Sequence, residues 1–253
     1  MIGQFVEGQF AGGAGRLTLK RPPLNILNIA MLRELSDALD AAGGDTSLRV
    51  LVLRAEGTLF SAGVDVADHT ADKVDEMIPL FGRVCAKLAD FPAPTIAALH
   101  GHALGGGCEL ALCCDLVVAA DTARLGQPEI KLATIAPVAA IRLTDLTGYR
   151  RAAELLFVGD AISAADAERI GLVNRVAPAA ELDEAVNRLA DQLLALSAPA
   201  LRYCKRALRL GRAGWGALPA VEKLYLEELM ATEDVHEGVV SFLEKRAPMW
   251  RHR

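Results

Sequence analysis

Three consecutive glycines, Gly105-Gly106-Gly107, stand between an unbroken apolar segment, Thr95 to Leu99, and a second apolar run that begins at Cys108. Such a run is costly in backbone entropy, so it serves either very close packing or the exposure of backbone N–H groups. The preceding segment reads as a strand, and a short helix is expected from about Gly106. The first N–H groups of a helix lack intrahelical partners and point outward with the positive end of the dipole. They can hold an anion, or an oxygen that becomes negative during a reaction. The alternative is a tight strand-to-helix turn without a chemical role. Phosphate-loop patterns fail on detail, because both G-K-[ST] and the G-x-G-x-x-G spacing are missing.

Glu109 stands one turn into the expected helix among Leu104, Cys108, Leu110, Ala111 and Leu112. A carboxyl in such company must be paired, be protonated, or carry a pKa raised into the range useful for acid–base work. It could equally just complement the dipole of a first turn. A second carboxyl, Glu129, follows in Gly126-Gln127-Pro128-Glu129-Ile130-Lys131, a turn-rich segment where a solvated loop acid is also expected. Another small-residue turn, Phe60-Ser61-Ala62-Gly63-Val64-Asp65, follows the strand Val50 to Leu53, and sites in α/β sheets gather at such strand ends. Ser61, Asp65 and His69 suggest a serine hydrolase, but the elbow pattern G-x-S-x-G is missing. His100 and His102 have no carboxylate or cysteine at ligand spacing, so no metal is expected.

Around these turns the chain reads as α/β. Phe5 to Phe10 and Arg16 to Lys20 flank Gly12 to Gly15 as a hairpin. Asn28 is placed to cap a helix whose face carries Leu32, Leu35, Ala38 and Leu39, with Gly43 and Gly44 ending it. Thr70 to Asp90 has the spacing of an amphipathic helix, through Val74, Met77, Ile78, Phe81, Val84, Cys85 and Leu88, and Phe91-Pro92-Ala93-Pro94 stops it. A strand follows at Asp115 to Ala120. From Tyr149 onward the pattern is helical, with stripes over Glu181 to Leu196, Pro199 to Leu210 and Ala217 to Met230. Thr232 is placed to cap a last helix ending near Lys245. The expected organisation is a core over residues 1–195 and a helical extension over 196–253.

The 253 residues are 52% hydrophobic and 23% charged with a net charge of −5, an ordinary globular composition without an electrostatic reason to bind nucleic acid or an anionic membrane. Cys85, Cys108, Cys113, Cys114 and Cys204 are odd in number, never spaced C-x-x-C and set among apolar residues. They read as reduced core thiols of a cytoplasmic protein. The stretch Met1 to Phe10 lacks a secretory pattern, and Phe91 to Cys108 is too polar for a membrane span.

F-S-A-G-V-D at 60–65, A-L-G-G-G-C-E-L at 103–110 and G-Q-P-E-I at 126–130 together resemble the crotonase superfamily of enoyl-CoA hydratases and isomerases. The resemblance runs nearly end to end, through R-P-P-L-N-I-L-N near the N-terminus, G-D-A-I-S-A-A-D-A-E-R-I-G-L-V-N at 159–174 and E-G-V-V-S-F-L-E-K-R at 237–246. It implies a spiral of strand-strand-helix units, a C-terminal helical trimerisation region, a homotrimer or dimer of trimers, and an acyl-CoA thioester as substrate without a separate cofactor. By the same resemblance the thioester oxygen sits between the N–H groups of Val64 and Gly106. The adenine part of CoA lies near Ala62, Asp65 and Val66, and Lys245 matches a lysine near the CoA phosphates.

Hydratases of this family carry both acids, here Glu109 for the water and Glu129 mainly for the α-proton, whereas its isomerases usually need one. Two departures stand out. Ala136-Pro137-Val138-Ala139-Ala140-Ile141-Arg142-Leu143 replaces the frequent P-G-A-G-G-T-Q-R-L, which implies a reshaped pocket floor. Asp65-Val66-Ala67-Asp68-His69 replaces D-[IL]-K-E-M, so the frequent CoA-facing lysine is Ala67. These segments are similar to the subgroup named for cyclohexa-1,5-diene-1-carbonyl-CoA hydratases of aromatic degradation. His69, Met77 and Phe81 are the candidates for the acyl-pocket wall, although Met77 and Phe81 also fit a simple core stripe. The remaining readings are an enoyl-CoA isomerase and a catalytically silent acyl-CoA-binding protein.

Overall fold

The computed structural model describes residues 3–253. Met1 and Ile2, part of the stretch read for a secretory signal, lie outside the described residues. The expected hairpin forms from β1 (Val6–Ala11) and β2 (Ala14–Leu19), with a turn of only two glycines, Gly12 and Gly13. Asn28 caps α1 (Ile29–Gly44) by accepting a hydrogen bond from the Met31 N–H. β3 (Val50–Ala55) leads through the Phe60–Asp65 turn to α2 (Val74–Ala89). That helix starts four residues later than the apolar spacing suggests, because Thr70–Lys73 forms turns, and Ile78 on the expected stripe faces outward.

β4 (Thr95–Leu99), the two-residue strand β5 (Ala103–Leu104), α3 (Gly106–Cys113) and β6 (Leu116–Ala120) follow. β7 (Arg124–Gly126), α4 (Pro137–Thr147) and α5 (Tyr149–Val158) come next. The expectation that everything after Tyr149 is helical is corrected by β8 (Ile162–Ser163) and β9 (Arg175–Ala177), separated by α6 (Ala164–Arg169). Strands of two and three residues are too short to show a period of two. The C-terminal part holds α7 (Leu182–Leu194), α8 (Ala198–Gly211), α9 (Leu218–Lys223) with irregular helical turns to Ala231, and α10 (Glu233–Leu243), capped by Thr232 as expected.

The main sheet runs β1-β2-β3-β4-β6-β9, parallel from β2 onward, and β5-β7-β8 form a second, small sheet. Both faces of the central strands β3, β4 and β6 are covered, which explains their nearly unbroken apolar sequences. Leu51, Leu53 and Ala97 face the large core shared with α1, α2 and α3. Their neighbours Val50, Val52, Ile96 and Ala98 face Leu182, Val186 and Leu189 of α7. Four of the five cysteines are buried and unpaired, but Cys204 is exposed on α8, which corrects its reading as a core thiol. No helix among the described residues is long and apolar enough to cross a membrane.

One partly buried ion pair fastens α8 to the sheet. Lys205 Nζ donates to Asp115 Oδ2 at 2.7 Å and to Ala93 O at 3.2 Å, and Asp115 also accepts from Thr95 N and Oγ1. The lysine is 7% exposed. Lys205→Met would strand the carboxylate, although Asp115 keeps contact with water and its Thr95 donors. The expected loss is about 2–3 kcal/mol, read by urea unfolding at fixed protein concentration. A change under about 0.5 kcal/mol would show that the pair adds nothing to the docking of α8.

Candidate active site

The C-terminal ends of β3 and β4 bring the two small-residue turns together. A loop before α1 clamps the first of them: Ala62 N donates to Leu24 O, Leu27 N to Gly63 O, and Asp65 N to Leu27 O. This parallel pairing uses the Gly63 carbonyl and the Asp65 N–H, leaving the Val64 N–H outside it. On the other side stands the second turn. A methyl group on Gly63 would lie 3.5 Å from Gly106 N, the first N–H of α3.

The glycine run is used for contact as well as for turning. Gly105 has φ 53°, in the left-handed region, and a Cβ there would lie 2.5 Å from Glu129 Oε1. At Gly106 a Cβ would meet Val64 Cγ2 at 2.6 Å and the Phe81 ring at 3.2 Å. Phe81 therefore reaches the turn, while Met77 on the same helix is fully buried in the core.

Glu109 is 3% exposed, one turn into α3. Burial pushes its pKa up to about 7, with the nearby Glu129 charge adding to the rise and the backbone donors at Ala139 and Val138 opposing it. Ala139 N donates to Glu109 Oε1 at 2.8 Å. This bond gives the altered 136–143 segment a physical role. Pro137 begins α4 and Ala136 has no side chain able to cap it, so the Glu109 carboxylate takes an N–H of the first turn of α4 instead. The apolar stripe of α4 is little more than Ala139 and Leu143, too weak to reveal the helix in the sequence. A proline after an uncapped alanine was the available signal.

Glu129 lies in the 3-10 turn Pro128–Leu132, half-buried. Burial raises its pKa, and His69 opposes the rise electrostatically. Its Oε2 is buried without a hydrogen-bond partner among the described residues. Gln127, two residues earlier and 2% exposed, has no nitrogen or oxygen partner for its amide among the described residues and rests against the Cys108 thiol. A polar residue wedged between Gly126 and Pro128 was a signal that the two carboxyls overshadow in the sequence.

The serine-hydrolase arrangement does not assemble. Ser61 Oγ bonds Asn25 O and Gly63 N, while His69 Nδ1 lies 3.0 Å from Asp65 O, so no serine–histidine pair forms. His100 Nε2 contacts Gly57 O, and no cluster of metal-ligating side chains occurs among the described residues. Ala62 and Asp65 are partly covered, Val66 is exposed, and Arg21 pairs with Asp65 at 3.3 Å. Lys245 is exposed beyond the end of α10, and no hydrogen bond or ion pair ties it to these turns. A cleft of about 890 Å³ lies at the opposite end of α3, beside Cys113. Its Lys205 and Arg142 already hold Asp115 and the Leu112 carbonyl, and it contains neither glutamate.

Comparison with known proteins shows the family and the fold of the chain. The family model described as enoyl-CoA hydratase/isomerase matches residues 9–253. A Mycobacterium bovis protein named "Probable enoyl-CoA hydratase" is 40% identical over 247 residues, 94% of this chain and 95% of its own. The cyclohexa-1,5-dienecarbonyl-CoA hydratase of Thauera aromatica is 39% identical over 245 residues, 96% and 94% of the two chains. The crystal structure of an enoyl-CoA hydratase from Bacillus anthracis superposes with a TM-score of 0.93 at 32% identity, covering 99% of this chain and 100% of that one. By its family match, its relatives and its fold, the chain is a crotonase-fold enzyme of the enoyl-CoA hydratase/isomerase family.

Proposed function

We propose that the enzyme adds water across the α,β double bond of an unsaturated acyl-CoA, with Glu109 and Glu129 as its acid–base pair. The observation that carries this reading is Glu109 itself: a carboxyl buried at the head of a glycine-led helix, its pKa raised to about 7, electrostatically coupled to a second raised carboxyl. An isomerase needs one such group, and a silent binding protein needs neither.

In this mechanism the thioester oxygen accepts hydrogen bonds from the N–H groups of Val64 and Gly106. As the β-carbon is attacked, electrons move through the α-carbon onto that oxygen, where the two donors and the α3 dipole stabilise the negative charge. Glu109 takes a proton from water as the new C–O bond forms, and Glu129 delivers one to the α-carbon. One water is consumed, and the proton gained by one carboxyl is returned to the other before the next turnover. The division between the two acids belongs to the pair as a unit. The chemistry balances with water and two carboxyls, so a metal or redox group has no step to perform.

His69, Met77 and Phe81 are proposed as the acyl side of the site, with Ala62, Asp65, Val66 and Lys245 toward CoA. Exposed apolar side chains on the C-terminal helical part, Trp215, Leu226, Phe242 and Leu243, support assembly into a trimer or dimer of trimers. A cyclic dienoyl-CoA is the second reading, favoured by the 39% identity to the Thauera aromatica protein.

Loss of the conjugated enoyl-thioester absorbance, followed in parallel with crotonyl-CoA and cyclohexa-1,5-diene-1-carbonyl-CoA, tests both readings. Fast loss with crotonyl-CoA is expected of a general hydratase. Turnover of the cyclic ester alone would make the 136–143 segment a specificity element. Silence on both would contradict hydration and bring forward an isomerase or a binding protein.

A further inference from the structure

The proposed oxyanion site needs two backbone donors on different turns to stay one carbonyl oxygen apart, and neither turn can fix the other by itself. Ser61 touches both. It is fully buried, and its hydroxyl donates to Asn25 O at 2.7 Å and accepts from Gly63 N at 3.1 Å, immediately before Val64. Its backbone meets the strand that leads into the glycine run: Leu104 N donates to Ser61 O at 2.9 Å, and Ser61 N to His102 O. Its side chain fills the place that a Cβ on Gly107 would take, 2.6 Å from Ser61 Cβ and 2.8 Å from Oγ.

Asn25, the acceptor, is itself held rigidly. It is fully buried with φ 45°, accepts from Arg21 N, and donates through Nδ2 to Glu56 O and Leu59 O. A chain of hydrogen bonds thus runs from the Arg21–Asn25 loop through the Ser61 hydroxyl to the residue before Val64. The same side chain packs under the residue after Gly106.

We infer that Ser61 is a positioning residue for catalysis, setting the spacing of the Val64 and Gly106 donors through its hydroxyl and its contact with Gly107. This rests on the acyl-CoA reading above. A serine in the F-S-A-G turn is then neither a nucleophile nor simple core filler. Loss of the hydroxyl leaves Gly63 N–H without its acceptor and frees the Val64 turn to drift, which weakens transition-state stabilisation more than ground-state binding.

The test uses polarisation of a bound thioester, which simple packing does not control. Hexa-2,4-dienoyl-CoA is bound to the full-length Glu109→Gln protein, and the red shift of its absorbance reports the pull on its carbonyl. The same shift is read in the Glu109→Gln, Ser61→Ala double variant. Ser61→Ala alone is expected to lower kcat for crotonyl-CoA by about 10- to 100-fold with KM changed less than about threefold, and the double variant is expected to bind the ester with the red shift reduced or lost. An undiminished shift together with unchanged kcat would overturn the inference. A missing shift in Glu109→Gln alone would count against the oxyanion reading itself, which separates the two failures. If Ser61→Ala does not fold, Ser61→Cys keeps the volume with a weaker hydrogen-bonding group and is expected to show the same loss in smaller degree; full activity and full shift in that variant would be the contrary result.

Discussion

Glu109→Gln is expected to lower kcat for hydration by about 10³-fold with little change in KM, because it removes a proton-transfer group but keeps an oxygen for the Ala139 N–H. The same variant should be more stable than the parent at neutral and higher pH. In the native state the Glu109 pKa is pushed from 4.5 up to about 7 by burial. Between those values the native state therefore holds a proton that the unfolded chain has released, so stability falls as pH rises through that window. The full decline amounts to about 3 kcal/mol. A glutamine does not titrate, so the gain of Glu109→Gln over the parent should grow from pH 5 to pH 8 in denaturant unfolding. Activity loss without that pH-dependent gain would mean that Glu109 is ionised at ordinary cost in the native protein.

Gly106→Ala should be nearly as damaging for a different reason. Its φ is not in the left-handed region, so alanine fits the backbone, but the added methyl would lie 2.6 Å from Val64 Cγ2 and 3.2 Å from the Phe81 ring. Relief comes from moving Val64 or the ring, and either movement disturbs the oxygen site. The expected outcome is a folded protein with kcat lowered by about 10²–10³-fold, the range for loss of one oxyanion donor, while thermal unfolding shows a cooperative transition within a few degrees of the parent. Retained kcat would remove Gly106 from the mechanism.

Much of this site was legible in the sequence because its parts are local. The glycine run could be read as a tight, closely packed turn, since Gly105 has a left-handed φ and a Cβ on Gly106 would lie 2.6 Å from Val64 Cγ2. Glu109 could be read as buried from its apolar neighbours alone. Long-range partners were not legible. The Ala139 N–H that holds Glu109 comes from thirty residues away, on a helix whose stripe is nearly absent. The Asn25–Ser61 bond spans thirty-six residues, and only the fold shows that a buried serine joins two turns.

The same contrast runs through the fold. Helices with wide apolar faces, such as α1 and α7, and strands buried on both sides were readable from periodicity. β8 and β9, at two and three residues, were not, because they exist through their neighbours in the sheet rather than through a pattern of their own. Cys204 was misread for a related reason. Its helix is amphipathic, but it lies beside Lys205, and the lysine takes the buried position in order to reach Asp115.

Hydration by the carboxyl pair adds one water across a conjugated thioester. It is tested most directly by incubating the enzyme with crotonyl-CoA in water labelled with both deuterium and oxygen-18, then analysing the intact ester by mass spectrometry. The expected product is an acyl-CoA that has gained one labelled hydroxyl on the β-carbon and one deuterium on the α-carbon, with the thioester uncleaved and the initial rate of product formation lowered by about 10³-fold in Glu109→Gln and comparably in Glu129→Gln. Free CoA, an ester shifted only in double-bond position, or a parent-like initial rate in either variant would contradict hydration by the two carboxyls.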